Sequence, residues 1–157
     1  MYPTLLVIHS LLRWVVLGAA VIALLRAFGG WSSGRPWTPT DEKVGKQFIL
    51  FLDLQFVVGL LLYVAFSPLT TAAFADFGAA MRDSIMRFWA VEHITAMVIA
   101  LALAHIGRVK ARKLVDNRSR HRTTAIYFGL ALLLILASIP WPFMAAGRAL
   151  FSFPALG

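Results

Sequence analysis

The chain contains no cysteine. That absence excludes disulfides, thiolate metal sites, cysteine-held iron–sulfur clusters and covalent haem attachment through C-x-x-C-H. Acidic side chains are scarce as well, with seven Asp and Glu against fifteen Lys and Arg among 157 residues. Charged residues amount to 14% of the chain, where a soluble globular domain carries about 25%. Period-two alternation is missing, which argues against a β-barrel. No H-E-x-x-H, phosphate loop or Ser–His–Asp arrangement occurs, so an enzyme with its own turnover is the weakest functional class.

What the chain has instead is apolar length. Residues of the apolar set make up 60% of it, and the mean hydropathy is +0.78. Four runs carry this character: Leu5–Leu25, Phe48–Phe66, Phe88–Ile106 and Ile126–Phe143. Each approaches or exceeds the roughly 18 to 20 residues that cross a hydrocarbon core of about 30 Å. The expected fold is an all-α integral membrane four-helix bundle, one domain over residues 1–157, with helices at about 4–27, 45–66, 84–108 and 122–143. The first run lacks a basic segment before it and is interrupted by Arg13, so it reads as a permanent helix rather than a signal peptide.

The loops set the expected orientation. Between the third and fourth helices stand Arg108, Lys110, Arg112, Lys113, Arg118, Arg120 and Arg122 against Asp116 alone. The first connection holds Arg26, Arg35, Lys43 and Lys46, while the second holds only Arg82 and Arg87. The positive-inside rule then puts both termini on the outer, periplasmic side of a bacterial cytoplasmic membrane. The net charge of +8 is accounted for by topology and anionic lipid rather than nucleic acid. Residues 28–42, "FGGWSSGRPWTPTDE", read as an irregular loop with Trp31 and Trp37 at the interface, and a short amphipathic turn is expected around Phe74–Met81.

Buried polar residues are costly in lipid and mark functional candidates. At about 1.5 Å per residue, His9 and His93 fall at one depth in the outer half, and Asp53 and His105 at another nearer the cytoplasm. Two neutral imidazoles on facing helices at equal depth suit the axial positions of a b-type haem. Gly18, Gly59 and Gly129 are expected to make room for the macrocycle, and Arg87 to meet a propionate. Met97, one turn after His93, is a pocket residue or a substitute sixth ligand. A copper or zinc ion on His9, His93 and Glu92 is the chemical alternative.

Arg13 shares a face with His9 and is expected to pair with Glu92. Glu92 is otherwise a proton acceptor beside an outer quinone pocket. His105 is expected to bond Asp53, and a second haem on His105 and His121 stays open. His93 and His105 are twelve residues apart, about 18 Å along the axis and about 120° around it, which is unfavourable for two haems on one helix pair.

The segments "IHSLLRW" at 8–14, "LQFVVGLLLYVAFSP" at 54–68, "RFWAVEHITAM" at 87–97, "AHIGRVKARK" at 104–113 and "SIPWPF" at 138–143 resemble a family of small four-helix bacterial membrane proteins labelled cytochrome b. The resemblance covers nearly the whole chain. It implies haem b and electron transfer, with His9 and His93 as the matching ligands. The chain lacks the four paired histidines of two-haem di-histidine cytochromes. Other classes are an accessory subunit of a respiratory or photosynthetic complex, which would make redox subunits its partners, and a metal-handling membrane protein.

Overall fold

In a computed structural model, residues 1–151 can be described, and among them the chain is helical with no strands. The long helices are α1 (Tyr2–Ser33), α2 (Pro39–Leu61), α6 (His93–Lys113) and α7 (Asn117–Ser138), with α3 (Pro68–Ala75), α4 (Phe77–Arg82) and α5 (Ser84–Arg87) between α2 and α6. Wide π-type turns extend α2 through Leu62–Phe66 and lead into α6 through Phe88–Glu92. Four helical stretches are therefore long and apolar enough to cross a membrane: Tyr2–Ser33, Pro39–Phe66, Ser84–Lys113 and Asn117–Ser138.

Helix ends follow local chemistry. Gly34 takes the left-handed conformation at φ 68° that ends α1, its N–H donating to Gly30 O. Thr38 opens α2 with a capping box in which its hydroxyl accepts from Asp41 N and the Asp41 carboxylate accepts from Thr38 N. Ser67, Asp76, Asp83 and Asp116 cap α3, α4, α5 and α7. Hydrogen bonds from Ser119 hold the Asp116 carboxyl below the usual carboxylate range.

Several boundaries differ from the sequence-based expectation. The segment expected as loop 28–42 is helical through Ser33, because the glycines lie on a helix already nucleated upstream and only Gly34 breaks it. The fourth helix ends at Ser138 instead of near 143, since Pro140 and Pro142 lack the donors to continue it. The region around Phe74–Met81 is divided between α3 and α4 at Asp76.

The core runs through the four long helices and includes Val16, Phe48, Leu52, Phe128 and Ile135. Phe48 and Phe128 meet edge to face at 5.0 Å. Helices α6 and α7 pack through small residues, Ala100, Ala104, Gly107 and Ala111, all buried. A β-carbon on Gly107 would collide with Tyr127, so glycine there permits the close approach. Trp37 N donates to Asn117 Oδ1 at 2.9 Å, which joins the α1–α2 and α6–α7 connections at one end of the bundle. The basic residues of both loops therefore share that end.

Candidate functional site

At the opposite end the long helices surround a cavity of about 130 Å³. Helix α1 contributes His9 and Arg13, α2 contributes Gln55 and Gly59, the wide turn contributes Trp89, and α6 contributes His93 and Met97. The segment after α7 folds back to add Pro140 and Arg148. Apolar side chains such as Leu6, Val16, Leu52 and Ile135 complete the wall. Both wide turns border this cavity, through Leu62 and Tyr63 on one side and Trp89 on the other. Such turns displace a helix by one residue and recur beside functional sites.

His9 and His93 face each other here with ring centroids 6.5 Å apart and planes inclined by 75°. His93 Nδ1 lies 2.8 Å from Ser138 O. A carbonyl only accepts, so the ring proton is on Nδ1 and the Nε2 lone pair is free. Phe88 and Trp89 flank the His93 ring at 5.8 Å each. The His9 ring is seated against α2, where a β-carbon on Gly59 would come 2.9 Å from its Cε1. Gln55 Nε2 donates to His9 O at 2.9 Å. Three buried polar atoms among the cavity residues, His9 Nδ1, Arg13 Nε and Gln55 Oε1, have no hydrogen-bond partner among the described residues.

Two guanidiniums stand beside this pair without a carboxylate partner among the described residues. Arg13 donates to Leu150 O at 2.6 Å and Ser10 Oγ at 3.4 Å, and Trp14 Nε1 reaches the same carbonyl at 3.2 Å. Arg148 lies over the Trp89 ring at 4.3 Å and donates to Tyr2 Oη at 3.3 Å. Arg148, Gln55 and Trp89 are site residues that sequence reasoning missed. Arg148 belongs to an irregular stretch, where spacing carries no depth information.

Other expectations are corrected. Arg13 does not pair with Glu92; Glu92 Oε1 instead accepts from Arg87 Nε at 2.7 Å. Neither Arg87 nor Glu92 lines the cavity, so Arg87 is not placed for a propionate and Glu92 is not a third metal ligand or a proton acceptor within the site. Among the described residues, no group of three His, Asp or Glu side chains converges for a metal ion. Gly18 meets open space and Gly129 touches only Leu24, so of the three glycines Gly59 alone borders the cavity.

His105 and His121 are not brought together. His105 Nε2 is 2.8 Å from Asp53 Oδ1 on an exposed lateral face. His121 is fully buried beneath Gly30 and packs on the Trp37 ring at 4.8 Å. Its neighbourhood is an ionic cluster in which Asp41 accepts from Arg26 at 2.9 Å and Arg35 at 2.7 Å. A second haem on that pair is therefore not supported by the geometry.

Fold and site together define a four-helix protein, apolar enough on every long helix to cross a membrane, with two imidazoles opposed across a mostly apolar cavity. No protein family, curated protein or solved structure matches the chain.

Proposed function

We propose that the protein is a multi-pass membrane b-type cytochrome that takes part in electron transfer with other membrane redox subunits. The opposed His9–His93 pair carries the reading. The two rings, with centroids 6.5 Å apart, are the residues that would hold the iron of a haem between helices α1 and α6. Haem needs only two protein ligands, so it suits a site that lacks a third.

The surrounding residues fit the same group. His93 is fixed in the tautomer that presents Nε2, and Gly59 seats His9. Arg13 and Arg148 offer guanidiniums to the carboxylates of haem in place of Arg87. The thioether of Met97 lines the same wall. When bound, haem supplies a one-electron carrier; the chain holds it, excludes water with apolar walls and neutralises its acidic edge. The shared basic end would face the cytoplasm, with the imidazole cavity toward the outer side.

Absorption spectra of the purified protein, oxidised and then dithionite-reduced, test the proposal. A reduced b-type α-band that is lost in His9→Ala and in His93→Ala is expected. A colourless wild-type protein that cannot be reconstituted with haem overturns it.

A further inference from the structure

Asp53 and His105 present a problem that the haem cavity does not address. Asp53 lies halfway along the span Pro39–Phe66, yet its side chain is 42% exposed, and that of His105 is 48% exposed. Around the pair, Leu54, Val57, Ile106 and Val109 are exposed apolar residues on the same two helices. In a membrane this face meets hydrocarbon, where an imidazole–carboxylate pair with unmet hydrogen-bonding groups is costly.

The pair is only half satisfied. Its internal bond uses His105 Nε2 and Asp53 Oδ1, and among the described residues His105 Nδ1 and Asp53 Oδ2 have no partner. With the imidazole protonated, His105 Nδ1–H is a spare donor and Asp53 Oδ2 a spare acceptor. The patch thus carries both halves of the bond that it lacks. Copies inserted with one topology hold this pair at one depth, so a twofold axis along the membrane normal brings each pair to its equivalent. Two-fold contacts of this kind are self-complementary.

We propose that the α2–α6 face is a homodimer interface, in which His105 Nδ1 of each copy donates to Asp53 Oδ2 of the other. A second copy fits better than a different protein, because it supplies the complementary donor and acceptor at the required depth by symmetry. Ala102, exposed one turn before His105, keeps the surface low enough for helices to approach. The proposal rests on the membrane reading and not on haem.

The absence of native cysteine makes the test direct. Leu54→Cys, Val57→Cys, Ala102→Cys and Val109→Cys variants of the full chain are oxidised in native membranes, with Leu133→Cys on α7 as the control. A covalent dimer from at least one of the four, and none from the control, is expected. Adding Asp53→Asn should lower that cross-linking about fivefold or more, and Ala102→Phe, which keeps the pair, should lower it too. No dimer from any of the four in alkali-resistant membranes overturns the interface, as does cross-linking only to a polypeptide of different mass. Release of the chain by alkali removes the membrane premise and overturns it as well, whereas a haem-free protein that still cross-links leaves it standing.

Discussion

The His9 ring rests on the backbone of Gly59, with the site of an absent β-carbon 2.9 Å from His9 Cε1. Gly59→Ala should therefore push the imidazole out of line with His93. Overpacking of this kind costs about 1–3 kcal/mol, and on the proposed haem reading the haem content per polypeptide should fall by about tenfold. Gly18→Ala, which meets nothing within 4 Å, should leave it unchanged. A pyridine haemochrome assay on both variants checks the contrast, and equal haem content would count against the seating of His9.

Arg13 and Arg148 lack carboxylate partners among the described residues, whereas Arg87 holds Glu92. A charge-assisted hydrogen bond contributes about 1.5–3 kcal/mol. On the proposed haem reading, Arg13→Gln and Arg148→Gln should each weaken haem retention by about tenfold or more, and also lower the reduction potential by removing positive charge. Arg87→Gln should do neither. Haem titration and redox potentiometry separate the three variants.

Gly30 lies so close to His121 that a β-carbon would overlap the ring. Gly30→Ala should destabilise the fold by about 1–3 kcal/mol. In a His121→Ala background the same change should cost much less, because the obstacle is gone. Thermal unfolding of the two single variants and the double variant in detergent measures that coupling.

Asp41 is 3% exposed and accepts from Arg26, Arg35 and Thr38. Its removal leaves cations without their counterion, so Asp41→Ala should cost about 3 kcal/mol. Glu92→Gln breaks an exposed pair with Arg87 and should cost less than about 1 kcal/mol. Parallel melting curves test this difference, and similar losses would contradict the role given to the Asp41 cluster.

Much of the site was legible because rise per residue converts sequence position into depth. That arithmetic brings His9 level with His93 and Asp53 level with His105, as the contacts show. It failed for Arg13 and Glu92 because it assumed an uninterrupted α-helix. The turn Phe88–Glu92 is π-type, which brings residues five apart together, and Arg87 and Glu92 are five apart. Arg148 was illegible for a different reason. It follows Pro140 and Pro142, and its place beside Trp89 depends on a chain reversal that no periodicity encodes. The Asp53–His105 bond was readable, but its outward direction was not, since depth says nothing about azimuth.

The widened turn before His93 also sets the phase of everything that follows it. One residue corresponds to about 100° of rotation about a helix axis. Deleting a single residue from Phe88–Glu92 would shorten the span by little, yet it would change the angular register between the cluster that holds Arg87 and the remainder of α6. Either His93 and His105 would rotate together, off the cavity and off Asp53, or α6 would keep its place and Arg87 would turn away from its present contacts. That five-residue turn is the clutch through which two halves of one helix keep separate bearings.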